Sequence, residues 1–518
     1  MVAPLHTSIV PESIAGAPQA LASLVAGRPG IVWAKRIADS ETPVSAAIKL
    51  IEPGRGDWIL ESVEGGDTRG RYSLIGLAPD LMFRADGRNC SINRNWMTDR
   101  SAFTAIDGDP IATLRALVGE CHINPLPPEL PPPLACLVGY FGYESYGLIE
   151  DLSRPPDSPL VVPDMLFVRP TVLLVFDRLS DELWFVAPIW PSTTDPEYAV
   201  ERASERIESA IAKVEGPLPG KTASATATYS DPADIALVPA LAAGQYRDMV
   251  LRAKDHIVAG DIFQVVLAQR FTAPFPLPPM QLYRALRRVN PSPFLYFLDL
   301  PDFAIVGSSP EILVRVRDGD ITIRPIAGTR PRGNSAAQDI ANRDSLLADP
   351  KERAEHLMLL DLGRNDAGRA AAPGTVHVTD SYTVEFYSHV MHIVSNVTGR
   401  LAQGKDALDA LFAGFPAGTV SGAPKVRAAQ IIAELEPETR GAYAGGIGYF
   451  APDGSMDSCI VLRTGIVKDG MLHVTAGAGI VADSDPAYEQ AECEAKAGAL
   501  LAAAREAVRV ANEVGYGQ

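Results

Sequence analysis

From residue 32 to about residue 190, short apolar runs are separated by turn residues. Runs such as WILES (58–62), YSLIGL (72–77), 165–168 and 172–176 have the length and composition of strands. Residues 1–30 read as a helical or loose leader. PLPPELPPP (125–133) is a proline-stiffened connector. In LVGYFGYE (137–144) glycines sit among aromatics, which suits close backbone packing. Residues 215–239 are small, polar and punctuated by proline, and read as a linker. Residues 242–271 read as helical with a break at Gly260. Further on, strands are expected at 304–307, 312–316, 321–324, 390–397, 445–450, 459–467 and 472–476, and helices at 350–362, 424–435 and 486–509. Strands in adjacent pairs favour antiparallel pairing. The expected fold is α+β, with large antiparallel β-sheets packed as a sandwich and helices on the outside. The expected division is a leader (1–30), an N-terminal region (31–214), a linker-like segment (215–240) and a C-terminal region (241–515).

One stretch departs from an ordinary amphipathic pattern. In DPKERAEHLMLLDLGRNDAGR (349–369), Asp349 can cap a helix and Pro350 suits its first position. Glu352 stands where a capping box would place it, Glu355 projects from the same face, and Gly363 can end the helix. A single pair of this kind usually marks a solvated face. Here it occurs twice, because DPAYEQAE (485–492) repeats the cap, the proline and a spaced pair at Glu489 and Glu492. Two such helices face to face would offer four carboxylates to a hard divalent cation such as Mg²⁺.

Composition narrows the function. The 518 residues are 47% hydrophobic and 21% charged, with net charge −17. That balance argues against nucleic-acid and anionic-membrane partners, which bind basic surface. No apolar run is long enough to span a bilayer, and no signal peptide is evident. The cysteines at 90, 121, 136, 459 and 493 are odd in number and widely spaced, without a zinc or disulfide pattern. Reduced thiols and a cytoplasmic location are the simplest expectation.

Other motifs add possible chemistry. PIAGTRPRG (325–333) follows a strand, and the N–H groups of Gly328 and Thr329 could hold an anionic oxygen; a stiff surface loop would look similar. GFPAGTVSGAPK (414–425) fails the register of a phosphate loop but precedes a helix start. The amides of Gly477, Ala478 and Gly479 could cradle a carboxylate, or form a strand-ending turn. Arg463 interrupts CIVLRTGIV, where a buried charge needs a partner or a substrate carboxylate. His389 and His392 would lie on opposite faces of one strand. These features describe a cleft for a small polycarboxylate handled with Mg²⁺.

Six motifs in order, PIAGTRPRG, DPKERAEHLMLLDLGRND, HVMHIVSNVTG, FPAGTVSGAPK, RGAYAGGIGYF and AGAGIVADSDPAYEQAECEAKA, resemble those of the chorismate-utilising enzymes over about residues 242–505. Within that family the resemblance is to the synthase-subunit branch of anthranilate synthases. DSETPVSAAIKL (39–50), ILES (59–62) and NPSPF (290–294) are similar to that branch's tryptophan-feedback segments. The resemblance implies that chorismate and ammonia give anthranilate and pyruvate, with Mg²⁺ held by Glu355 and Glu492 and with Glu352 and Glu489 close by or acting through water. It implies that Gly328 and Thr329 contact the substrate, and that Tyr443, Arg463 and the amides of Gly477, Ala478 and Gly479 take its enolpyruvyl carboxylate. Glu311 would protonate the leaving hydroxyl, and His392 and Thr419 would lie near the ring. Ser40, Pro291, Ser292 and Pro293 would hold inhibitory tryptophan. Related branches that form aminodeoxychorismate or isochorismate carry a lysine where this chain has Ala327 or Gln264. No glutaminase motif is visible, so a separate glutamine amidotransferase subunit is the implied source of ammonia.

Overall fold

Alternation along the central strands buries both of their faces. Trp58, Tyr296 and Ile305 point into one core, while their chain neighbours Ile59, Phe297 and Val306 point into a second. A computed structural model describes residues 13–62, 70–192, 194–219, 231–387 and 390–513. In it, two twelve-stranded sheets share the first core. The second core lies between the first sheet and a layer of helices that includes Pro43–Leu50, Pro196–Glu215, Pro279–Val289 and Pro486–Asn512. The expected α+β sandwich with outer helices is therefore found.

Residues on both sides of the 215–240 segment supply strands to both sheets. In the first sheet, Asp57–Glu61 pairs with Phe294–Asp299; in the second, Leu137–Phe141 pairs with Gly446–Phe450. Residues 220–230 of the linker-like segment and 1–12 of the leader lie outside the described residues. The rest of the leader carries the helix Ala17–Val25. No described helix is long and apolar enough to cross a membrane.

Three local expectations are corrected. The helix expected over 242–271 is Gln245–Val258 followed by the strand Gln264–Pro274. The strand pairs along its whole length with Met471–Ile480, so tertiary pairing decides its conformation. Residues 459–467 are not one strand: Met456–Ile460 belongs to the second sheet and Thr464–Lys468 to the first. Gly363 does not end its helix, which runs from Pro350 to Ala370. Gly363 instead permits close packing, because a Cβ there would stand 3.0 Å from the Pro325 ring.

Candidate active site

The chain passes between the sheets at two neighbouring places, and each crossing carries a candidate residue. Pro310 and Glu311 link Ala304–Ser309 of the first sheet to Ile312–Arg317 of the second. Residues 461–463 make the return link, with Arg463 in the left-handed region at φ 47°. Ile460 N–H donates to the Glu311 carbonyl at 3.0 Å, and Ser308 N–H donates to that of Arg463 at 3.2 Å, so the crossings hold each other. Glu311 is buried, and burial pushes its carboxyl up to about 8 against one hydrogen bond from Thr419 Oγ1 at 3.1 Å. It is thus a protonated acid at neutral pH. Arg463 is half-buried, and among the described residues no carboxylate forms an ion pair with it. Burial lowers its pKa from the ordinary arginine value. A cation in that setting favours an incoming carboxylate.

Gly328 sits at a bulge between Ile326–Pro331 and Val390–Arg400, with φ 72°. The left-handed backbone favours glycine there, and a Cβ would stand 3.0 Å from Glu352 Oε2. Thr329 pairs with His392, whose Nδ1 lies 3.0 Å from the Gly328 carbonyl and 3.1 Å from Thr329 Oγ1. A carbonyl can only accept, so Nδ1 carries the proton and Nε2 keeps its lone pair. Burial, aided by the charge of Arg463, holds His392 below its ordinary pKa. His392 is therefore a neutral imidazole able to accept a proton. His389 lies outside the described residues.

Both acidic helices have the expected starts. Asp349 accepts from Lys351 and Glu352 N–H, Asp485 accepts from Ala487 and Tyr488 N–H, and a proline follows each cap. Glu352 does not close a capping box; Arg330 Nη1 takes it at 2.9 Å, and Arg330 Nη2 takes Asp349 at 2.7 Å. Burial raises the pKa of Glu355, with further contributions from the charges of Glu352 and Glu492. Glu489 is buried and raised too, by burial first and by Glu492 after it. Between the two helices, the charges of Glu355 and Glu492, one turn beyond Glu352 and Glu489, come within range of one another. Their donors are hard oxygens, which suit a hard cation. Among the described residues, however, no three acidic, histidine or cysteine side chains are gathered closely enough to ligate one. Arg330 holds Glu352 and Lys496 holds Glu492, the latter at 2.7 Å.

Gly477, Ala478 and Gly479 are part of the strand Met471–Ile480 rather than a turn after it, and pair with Ala268, Leu267 and Val266. On its other side this strand pairs with Thr464–Lys468 through residues 471–474, and beyond them the Gly477 backbone hydrogen-bonds the Tyr443 side chain. A Cβ at Gly477 would stand 2.8 Å from Tyr443 Oη, and one at Gly479 would stand 2.6 Å from Gln264 Nε2. Gln264 in turn hydrogen-bonds Glu355. Lys496 was not anticipated from the sequence. It donates to the Gly477 carbonyl at 2.9 Å while pairing with Glu492, and so joins the acidic helix to the glycine strand. Its spacing of four residues from Glu492 on one helix was the available signal. Lys425, which closes FPAGTVSGAPK, is buried against Asp366 at 2.7 Å and faces no cleft.

A cavity of about 1230 Å³ opens between the sheets and is lined by Glu61, Ser62, Pro291, Pro293 and Tyr449, and by Tyr387, whose ring centre lies 5.4 Å from that of His392. Ser292 is buried beside it. Ser40 is exposed just beyond the strand Gly30–Ile37 and is not brought together with Pro291 and Pro293, whereas Ser62 of ILES lines the same cavity as they do. Pro310 and Ile312, on either side of Glu311, line the same cavity.

Fold and site together place a protonated carboxyl, Glu311, and Arg463 where the chain passes between the two sheets, and a neutral imidazole, His392, on the strand Val390–Arg400. The chain belongs to the chorismate binding enzyme family, whose match runs over residues 64–502 and takes in every part of the cleft. Anthranilate synthase component 1 of Cereibacter sphaeroides is 49% identical over 497 residues, covering 95% of this chain and 98% of the relative. The protein of the same name from Pseudomonas putida is 44% identical over 472 residues, covering 90% and 93%. The crystal structure of anthranilate synthase component I from Streptococcus pneumoniae TIGR4 superposes with a TM-score of 0.73 at 35% identity, covering 90% of this chain and 98% of that one.

Proposed function

We propose that the chain is the synthase subunit of an anthranilate synthase, converting chorismate and ammonia to anthranilate, pyruvate and water. The observation that carries this reading is Ala327 and Gln264 standing in an otherwise fully furnished cleft. A lysine at either place would supply a ring nucleophile or a base for water. Alanine can supply neither, and Gln264 is an amide engaged with Glu355. Ammonia itself must then attack the ring.

In this reading Arg463, Tyr443 and the Gly477–Gly479 strand orient the enolpyruvyl carboxylate, and Gly328 and Thr329 border the ring. Glu311 delivers its proton to the leaving hydroxyl as ammonia adds, with Thr419 fixing the carboxyl. His392 Nε2 accepts the ring proton when pyruvate is eliminated. Glu355 and Glu492, with Glu352 and Glu489 beside them, would hold Mg²⁺, which when bound neutralises carboxylate charge on substrate and protein. The five cysteines are free and buried, and none sits in a glutaminase setting, so a separate glutamine amidotransferase would feed ammonia to a cytoplasmic hetero-oligomer.

The test is a product assay identified by mass. The purified chain is expected to form anthranilate from chorismate, MgCl₂ and an ammonium salt, and to form it with glutamine only when a glutaminase subunit is added. Robust glutamine-dependent turnover by the single chain would refute the partner assignment, and an aminodeoxychorismate or isochorismate product would refute the branch.

Feedback is a further part of the proposal: tryptophan would occupy the cavity of Ser62, Pro291 and Pro293. Ser62→Phe is expected to weaken tryptophan binding by more than about tenfold, since a ring in the cavity displaces the ligand. Ser40→Phe is expected to leave it unchanged. Calorimetry showing the opposite ranking would return the site to Ser40.

A further inference from the structure

Arg440 is buried behind the cleft, and the elements it touches carry residues already placed in the cleft. Its Nε and Nη2 donate to the Glu436 carboxylate at 2.8 and 2.6 Å. Nη1 donates to the carbonyl of Val420, the residue after Thr419, at 2.8 Å. Nη2 also donates to the Val266 carbonyl at 2.6 Å, and Val266 pairs with Gly479. The guanidinium carbon lies 5.7 Å from the Tyr443 ring centre and 4.5 Å from that of Tyr143. Glu436 Oε1 accepts from Ala268 N–H at 2.8 Å, and Ala268 pairs with Gly477. Behind this pair, Glu144 accepts the N–H groups of Arg440 and Gly441 at 2.7 and 3.0 Å.

We propose that Arg440 and Glu436 form a positioning pair that sets Thr419, Tyr443 and the Gly477–Gly479 strand at fixed distances from one another. A buried ion pair is a poor device for stability alone, because desolvation offsets most of its attraction. It is a good device for geometry. The planar guanidinium has a rigid fork of donors, and here that fork joins a loop carbonyl, a strand carbonyl and a carboxylate while an aromatic ring covers its face. None of these contacts reaches the substrate. The pair acts through Thr419, which holds the Glu311 carboxyl, and through the strand opposite the carboxylate cradle.

Three variants separate positioning from mere stability. Arg440→Met/Glu436→Gln removes both charges together, keeps the volume, and leaves a carbonyl for Ala268 N–H, so it is expected to fold. It should show faster amide hydrogen exchange confined to residues 418–421, 442–444 and 477–479, with a melting temperature near that of wild type. The kinetic arm rests on the chorismate reading. Here kcat/KM should fall about a hundredfold, with KM for chorismate raised about tenfold, as expected when reacting groups shift by about an ångström. Arg440→Lys keeps a cation beside Glu436 but lacks the planar fork, and should recover only a minor part of the exchange protection and of kcat/KM. Glu436→Gln alone should lie between the two. A folded double variant with wild-type exchange and wild-type KM overturns the proposal, as does exchange that rises uniformly through the chain. If wild type fails to turn over chorismate, the functional reading falls, and the exchange pattern still decides the positioning pair.

Discussion

Glu311→Gln is expected to lower kcat by about 10²–10⁴-fold, the usual contribution of a positioned general acid, with little change in KM for chorismate. Gln preserves the size of the side chain and can still accept from Thr419, so binding should survive while the transferable proton is lost. The pH profile sharpens the test. With its carboxyl pushed up to about 8, wild type should lose activity on an alkaline limb near that value, and the variant's residual rate should lack that limb. A variant within about threefold of the wild-type kcat would remove Glu311 from the proton-transfer step.

The same group makes a stability prediction of defined sign. Its folded value lies above the unfolded one, so the folded state holds an extra proton between the two. Stability from this group is complete below the unfolded pKa and is lost as pH rises through about 8. Glu311→Gln abolishes that slope. The variant's unfolding free energy should therefore gain on that of wild type between pH 5 and pH 9, by on the order of a few kcal/mol. Higher stability with lower activity is the pattern expected where a buried ionisable group is kept for chemistry.

What could be read from the sequence depended on range. The caps at Asp349 and Asp485 are local chemistry, and both helices start where the cap–proline signal places them. The acidic faces were equally legible, because spacing on a helix is a property of a few residues. What failed was non-local. Residues 459–467 read as one apolar run, and only the interruption at Arg463 signals the change of sheet; as a non-glycine residue in the left-handed region, it could not announce that conformation. Gly363 carries the same signal as a helix stop, and only the Pro325 ring packed against it tells the two apart. The strand Gln264–Pro274 follows a helix closely enough to extend its pattern until its partner strand is known. Ser40 and Ser62 are both serines in matching segments, and only the closed sheet puts Ser62 beside Pro293.

The acidic helices make the other large prediction. Glu352 leans on Arg330 and Glu492 on Lys496, whereas Glu355 has no ion pair of its own and sets the charge of Lys351 and a hydrogen bond from Gln264 against burial and the charges of Glu352 and Glu492. Glu355→Gln should consequently lower turnover by at least about a hundredfold at a magnesium concentration that saturates wild type, since metal-borne charge neutralisation contributes several kcal/mol. Chelation of wild type should mimic the variant, and added MgCl₂ should restore wild type alone. A readout independent of activity follows from the repulsion itself. Removing one charge from the group relieves it, so metal-free Glu355→Gln should melt above metal-free wild type. Magnesium should raise the melting temperature of wild type, by mass action on the folded state, and leave that of the variant nearly unchanged. A solvated acidic face with no cation role predicts neither the magnesium shift nor its loss. Equal responses of wild type and Glu355→Gln to MgCl₂, in melting and in turnover, would mean that the doubled Glu pairs hold no cation.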